Sequence, residues 1–578
     1  MRTSSLPTST MASSTAVHRL HTRGRGNLFK CLKNLDAFLR RRVGTVAVTA
    51  RNEPPRKEEN EGGRLSFYAI QAQRQEQAER SVLIGCTPTV NENKFIKFLS
   101  THGNIKKYFT YESYGTYAVV EFASREGVAS LLEGAGIPNN GHESMVPYKS
   151  RLMSLKSLGS AELSKQPWSQ HNHLQTTIPI NNLMQKLCLE ESIDQQIIRL
   201  TEACQLTEEN SHLRFLVCSL LKDIAAAYFP ECSIQPFGSS VNGFGKLGCD
   251  LDMFLDLDNI SGRNLKTPKS ALTLEYQMKR ADSERTVTQS ILSVIGECLD
   301  QFGPGCVGVH KILNARCPLV RFSHQPSGFQ CDLTANNRVA MKSSELLYLY
   351  GQLDPRVRQL VFSIRFWARA HGVTSNIPGA WITNFSLTVM VLFFLQQRRP
   401  AVIPTLNHLR ELAGPADRSV IEGNDCTFVS DVEKIQLQNS TETLEQLLSE
   451  FFEFYATFAF SKKSINIRKG KEQNKPEAAP LHIQNPFESA LNVSKNVNGP
   501  QLERFVALCQ ESSWLLQQRY IRAPKGADNP PAHWGLATLL LPSRIAMVNS
   551  RKKRKTKPAS EMVKSLLESL RPVNQPKN

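Results

Sequence analysis

Two aspartates, Asp250 and Asp252, stand one residue apart in Asp250-Leu251-Asp252-Met253-Phe254-Leu255. Successive side chains on a strand point to opposite faces, so a strand here presents both carboxylates on one face and Leu251, Met253 and Leu255 on the other. The apolar face enters a core while the carboxylates meet a cleft. Two ionised carboxylates at that spacing repel, and a cation between them removes the cost. An all-oxygen site suits Mg²⁺, with Mn²⁺ as an alternative. Upstream, Ile234 to Phe237 predicts a short strand running into Gly238-Ser239-Ser240. Glycine allows backbone N–H groups close to an anion, and serine adds a hydroxyl donor. Gly238 and Ser239 are therefore a candidate phosphate cradle beside a candidate metal site. Gly248 and Cys249, at the entry to the aspartate strand, offer further backbone to a triphosphate.

A third carboxylate decides the chemistry. Asp332, in Gly328-Phe329-Gln330-Cys331-Asp332-Leu333, lies on another apolar strand. In-line nucleotidyl transfer with two metals needs such a group to complete the site and to steer the attacking hydroxyl.

These residues resemble the DNA polymerase beta superfamily of nucleotidyltransferases. The wider match, Phe237 to Asp258 plus Cys331 to Arg338, resembles the noncanonical poly(A) polymerases and terminal uridylyltransferases and extends over residues 80 to 545. The resemblance implies a template-independent RNA 3′-adenylyltransferase that tails mitochondrial transcripts. Its partners would be ATP, RNA 3′ ends and two Mg²⁺ ions held by Asp250, Asp252 and Asp332. A terminal uridylyltransferase and a catalytically silent RNA-binding scaffold are the alternatives. Aligned on Trp367, Arg365 and Arg369 occupy positions where the family places basic residues on the triphosphate. Phe385 falls at the family's base-stacking position. Ile483-Gln484-Asn485-Pro486-Phe487-Glu488 resembles the nucleotide recognition motif, with Glu488 in place and Asn485 where the family usually has Asp. Leu491 stands where the uridylyltransferases often carry a histidine, which favours ATP.

The rest of the chain must position these groups. With 578 residues there is room for three domains or so. A net charge of +18 and a pI near 9.3 point to a polyanionic partner. The thirteen cysteines include no Cys-x-x-Cys pair, which argues against structural zinc and a disulfide framework. The apolar run Phe385 to Leu395 is too short to span a bilayer and reads as a buried helix.

The expected fold class is α+β, with a polymerase-beta-like nucleotidyltransferase domain on a mixed sheet at its centre. Residues 1–50 are arginine-rich and nearly free of acid, as in a mitochondrial transit peptide, so the mitochondrial matrix is the expected location. Residues 51–80 read as a linker. Residues 81–150 resemble an RNA recognition motif, but Leu83 and Val119 stand at usual stacking positions, which suggests protein contact or homodimerisation rather than RNA binding. Residues 151–183 read as a connector, 184–345 as the nucleotidyltransferase palm and 346–545 as a helical poly(A)-polymerase-associated domain. Within these, Gln185 to Cys204 and Ser211 to Tyr228 each read as one helix, and Asp354, Pro355 and Gly372 bound another. Residues 546–578, with Arg551-Lys552-Lys553-Arg554-Lys555, read as a basic phosphate-binding tail.

Overall fold

The computed structural model describes residues 66–87, 91–136, 149–156, 171–172, 179–230, 232–257, 283–335, 337–377, 379–518 and 533–541. The expected targeting segment and basic tail lie outside them. The chain forms two compact units, one from residues 1–176, 206–241 and 247–341 and the other from 177–205, 242–246 and 342–578.

In chain order, α1 (Phe67–Glu79) leads into β1 (Ser81–Cys86), α2 (Glu92–Ser100), β2 (Ile105–Glu112), β3 (Thr116–Phe122) and α3 (Arg125–Gly134), then the short β4 (Leu152–Ser154) and β5 (His171–Asn172). Next come α4 (Ile180–Cys188) and α5 (Ile193–Cys204), both in the second unit. The first unit resumes with α6 (Glu208–Ala226), β6 (Ser233–Pro236), β7 (Leu251–Asp256), α7 (Glu284–Phe302), β8 (Cys306–Ile312), β9 (Leu319–His324) and β10 (Phe329–Ala335). The second half of the chain is mainly helical, with α8 (Arg338–Leu353), α9 (Pro355–Ala370), α10 (Asn384–Gln396), α11 (Leu406–Glu411), α12 (Leu444–Thr457), α13 (Gly499–Gln517) and α14 (Gly535–Leu539).

The first unit holds two sheets. One has the strand order β4-β1-β3-β2-β5 and the other β6-β7-β10-β9-β8. In the first, Val82, Ile84 and Cys86 of β1 and Ala118, Val120 and Phe122 of β3 share a face, packed on Phe95 and Leu99 of α2 and Val128 and Leu131 of α3. This is the recognition-motif-like sheet. Its opposite face is buried as well. Leu83, Val119 and Tyr111 have no exposure, and Phe109 has almost none. Helix α6 covers that face: His212 Nε2 lies 2.9 Å from Ser81 Oγ, and its ring packs edge-on against Phe109. The turn between β9 and β10 covers more of it, since Tyr111 donates from its hydroxyl to the Pro326 carbonyl at 2.8 Å. The surface that would stack RNA bases in such a sheet is closed within this chain. The protein contact inferred from Leu83 and Val119 is thus, on this face, an intramolecular one.

Three local readings are corrected. Residues 67–79, assigned to a linker, form α1: Ser66 caps it, accepting from the Ala69 N–H, and Arg74 pairs with Glu208 of α6 at 3.0 Å. Only Phe67 and Ala78 are buried along it, too weak a stripe for the periodicity to reveal. The expected connector supplies β4, which pairs in parallel with β1 through Leu83–Leu152 and Ile84–Met153. The helix expected over Gln185 to Cys204 is two, because Ser192 adopts an extended backbone and caps α5 by accepting from the Gln195 N–H. The Asp354 cap, Pro355 in the first turn and Gly372 at φ +61° bound α9 as expected. Ser386 to Gln396 of α10 are buried on every side, and no helix among the described residues is long and apolar enough to cross a membrane.

Candidate active site

The second sheet brings the sequence-separated aspartates together. Strand β7 pairs with β10 in parallel, and the register sets Asp252 beside Asp332. Residues opposite one another on neighbouring strands show their side chains on the same face. Leu251, Met253 and Leu255 are fully buried on the other side, as the alternation requires. Asp250 lies just before the strand and is exposed. β9 pairs with β10 on its far side and sets Arg321 opposite Asp332. Arg321 donates Nε to Oδ1 at 2.7 Å and Nη2 to Oδ2 at 2.6 Å, a two-pronged clamp on the third aspartate.

The expected phosphate cradle, Gly238–Ser239, abuts Asp252. β6 pairs with β7, and the Phe237 N–H donates to the Asp252 carbonyl at 3.0 Å, so the strand delivers the chain onto Asp252. Gly238 then turns at φ +61° and opens a single helical turn, Gly238–Ser240. A Cβ at position 238 would lie 3.1 Å from Asp252 Oδ2. Only glycine gives both this backbone conformation and this approach. Ser239 Oγ lies 3.4 Å from Cys249 Sγ, which ties the turn to the segment entering β7. Gly248, at φ +75°, makes the turn into Cys249 and Asp250.

The electrostatics suit a cation. Burial, then the charges of Asp332 and Asp250, push the Asp252 carboxyl up to about 7, against smaller opposing pulls from Arg214 and Arg321. Among the described residues, no three His, Cys, Asp or Glu side chains stand gathered as a complete cage. Mg²⁺ bound with a nucleotide takes one or two carboxylates and completes its coordination with water and the substrate's own phosphates, so a full protein cage is not required of such a site. The donor set, all carboxylate oxygen beside the Gly238 turn, fits such an ion.

The remaining candidates lie in the second unit. The guanidinium of Arg365 is engaged by the chain itself. It donates to the carbonyls of Phe244 at 2.8 Å and Asn384 at 3.3 Å and to the Thr388 hydroxyl, and it lies over the Phe244 ring. It clamps the Asn242–Lys246 segment to α10. Arg369, one turn on, donates to Asn376 Oδ1 at 3.3 Å and is exposed. Phe385 sits partly exposed in the first turn of α10, behind the Thr383 cap. Glu488 and Leu491 share one tight turn: Asn485 Oδ1 accepts from the Phe487 and Glu488 N–H groups, and the Asn485 N–H donates to the Leu491 carbonyl. Asn485 Nδ2 faces Glu488 Oε2 at 3.4 Å. An aspartate at 485 would keep the turn but place two carboxylates together. Phe428 stacks on Phe487 behind this turn, their ring centres 6.1 Å apart.

Sequence reasoning missed two residues here, Arg214 and Arg321. Arg321 sits in a strand with no motif around it, and only the strand pairing reveals its partner. Arg214 sits within the helix expected over Ser211 to Tyr228, among the apolar Leu213, Leu216, Val217, Leu220 and Leu221 that face a core. That stripe is buried as expected, but the polar side is buried too, because α6 lies between the two sheets.

Comparison with known proteins places this geometry. Residues 193–352 match the family described as "Poly(A) RNA polymerase, mitochondrial-like, central palm domain", residues 66–136 match the RL domain, and residues 443–492 match "Cid1 family poly A polymerase". The Homo sapiens protein "Poly(A) RNA polymerase, mitochondrial" is 55% identical over 91% of this chain and 91% of its own. The crystal structure of mtPAP in complex with ATPgammaS superimposes with a TM-score of 0.76 at 53% identity, covering 83% of this chain and 100% of that one. The mtPAP complex with UTP superimposes with a TM-score of 0.75 at 53% identity and the same coverage. A carboxylate pair in register on β7 and β10, a glycine turn against it, and identity above half over nine-tenths of both chains make this chain a member of the mitochondrial poly(A) RNA polymerase family.

Proposed function

We propose that the chain adds adenylate residues to RNA 3′ ends in the mitochondrial matrix, without a template. The observation that carries the reading is the register of Asp252 beside Asp332, with the Gly238 turn packed on Asp252. The human relative's name supports both the activity and the location.

ATP would enter with its β and γ phosphates on the Gly238–Ser239 turn and the backbone at Gly248 and Cys249. Asp250 and Asp252 would face the α phosphate, and Asp332 the RNA 3′-hydroxyl. Divalent cations, Mg²⁺ or Mn²⁺, held by Asp250, Asp252 and Asp332 would neutralise the phosphate charge and favour the attacking alkoxide. The 3′-hydroxyl gives up its proton toward the Asp332 carboxylate, its oxygen bonds to the α phosphorus, the bond from that phosphorus to the α,β-bridging oxygen breaks, and pyrophosphate leaves. Asp332 orients the hydroxyl, and Arg321 holds Asp332 in place on the sheet. The protein's share of such a step is positioning and charge complementarity. Phe385 would stack on the base, Arg369 would add charge to the triphosphate, and Arg365 would act on the nucleotide through the segment it clamps. Glu488 and the apolar Leu491 border the base edge and favour adenine over uracil. Self-association would use parts of the recognition-motif-like domain left exposed, where Phe98 and Tyr114 show half or more of their surface.

The test is extension of a labelled RNA primer with each nucleoside triphosphate separately, in Mg²⁺ and in EDTA, by parent and Asp252→Ala proteins. ATP should be incorporated preferentially, and only by the parent in Mg²⁺. A preference for UTP would make the chain a uridylyltransferase. Extension by Asp252→Ala at the parental rate would remove the site.

A further inference from the structure

Arg214, in the middle of α6, is among the largest side chains with no solvent exposure. A buried guanidinium is costly unless its donors are satisfied. Here they are satisfied by neutral acceptors. Nη1 donates to Ser240 Oγ at 2.9 Å and to the Asp250 carbonyl at 2.9 Å. Nη2 donates to the Cys249 carbonyl at 2.7 Å. Nε donates to Asn210 Oδ1 at 2.8 Å, one turn back on the same helix, which aims the group. Its Cζ lies 4.6 Å from the centre of the Phe329 ring, on the strand that carries Asp332.

One planar cation thus touches the end of the phosphate turn, the backbone entering the metal strand and the neighbouring strand of the third aspartate. These pieces come from separate parts of the sequence and must hold register to within a fraction of an ångström for in-line transfer. We propose that Arg214 is the positioning residue that locks the Ser239–Ser240 turn to Cys249–Asp250 and stands as a fixed positive charge behind the catalytic carboxylates. The inference rests on the site assignment above and adds the element that pre-assembles the site before nucleotide and cation arrive.

Two substitutions test it in the full-length protein. Arg214→Lys keeps the charge, but an ammonium on a shorter stem cannot span Ser240 Oγ and both carbonyls together. Ser240→Ala removes only the arm to the phosphate turn. Hydrogen bonds to a charged donor each carry a factor of about ten or more, so Arg214→Lys should lower kcat/KM for ATP by at least about 30-fold. It should also raise the Mg²⁺ concentration for half-maximal extension. Ser240→Ala should raise KM for ATP at least about threefold, with kcat nearly unchanged. Calorimetry with α,β-methylene-ATP reads the same loss as weaker binding, with no turnover involved.

A purely structural role predicts a different pattern. Melting temperature and active fraction would fall, while the surviving enzyme kept the parental KM, Mg²⁺ requirement and analogue affinity. Parental values of all three in both variants overturn the proposal. Should Arg214→Lys fail to fold, Ser240→Ala decides alone through KM and analogue affinity. Asp252→Asn is measured in parallel. If it extends primers normally, the site assignment has failed. If it is inactive while the Arg214 and Ser240 variants match the parent, only the positioning role has failed.

Discussion

Replacing Asp252 by asparagine should abolish extension and yet stabilise the metal-free protein, increasingly so as pH rises. The carboxyl of Asp252 is pushed from 3.8 to about 7, first by burial and then by the charges of Asp332 and Asp250. A carboxyl with a raised folded pKa holds its proton in the native state over a range where the unfolded chain has lost it. Between about pH 4 and pH 7 the native state therefore binds more protons, and stability falls with rising pH by about 1.4 kcal/mol per unit. Above 7 the whole penalty is present, about 4 kcal/mol for a gap of about three units. Asparagine mimics the protonated form and does not titrate. The advantage of Asp252→Asn over the parent should then grow from about 2 kcal/mol at pH 5.5 to about 4 kcal/mol at pH 8. For a folding unit of this size that is a melting difference of roughly 8 °C at the higher pH. The assay is denaturant and thermal unfolding of both proteins in EDTA across that range, repeated at pH 8 with Mg²⁺. The cation should stabilise the parent and leave the variant unchanged, because binding to the native state alone is what shifts the equilibrium. A stability gap that is constant from pH 5.5 to 8, or one that shrinks as pH rises, refutes the reasoning about buried like charges. Equal Mg²⁺ stabilisation of both proteins removes Asp252 as a ligand.

Gly238→Ala should cost at least about 1 kcal/mol from its left-handed backbone and cut extension by about tenfold, since the new methyl meets Asp252 Oδ2; unaltered kinetics would show that the turn does not serve the nucleotide. Leu491→His should raise the UTP to ATP ratio of kcat/KM in competition assays, because a site that hydrogen-bonds a base edge discriminates more sharply than an apolar one; an unchanged ratio places Leu491 outside the base pocket. Glu121→Ala should destabilise by about 3 kcal/mol, since Glu121 is buried and bonded to Gln77 and Arg80 on the covered sheet face. RNA affinity, measured at a temperature where the variant is folded, should stay parental; its collapse would return that face to RNA binding.

Much of the chemistry is written in local patterns. Asp252 among the alternating Leu251, Met253 and Leu255 determined a strand with one apolar face and Asp252 on the other, because strand periodicity is a property of the backbone alone, while Asp250 falls just before that strand. Asp354, Pro355 and Gly372 determined both ends of α9, because capping and left-handed termination depend on single residues. The burial of α10 followed from an apolar run that has no polar face to show to water.

What the sequence left open depends on pairing between distant segments. That Asp332 stands beside Asp252 is set by the parallel register of β7 and β10, with Arg321 brought in by β9 on the other side. No local pattern encodes a register between strands so far apart in the chain. Nothing in the sequence sets Arg214 apart within its helix, and its role depends on loops that reach it only in the folded chain. The covered sheet face is the same kind of case. Leu83 and Val119 announced that bases would not stack there, but only the tertiary structure decided that α6 does, because a buried face is defined by what packs on it and not by its own residues.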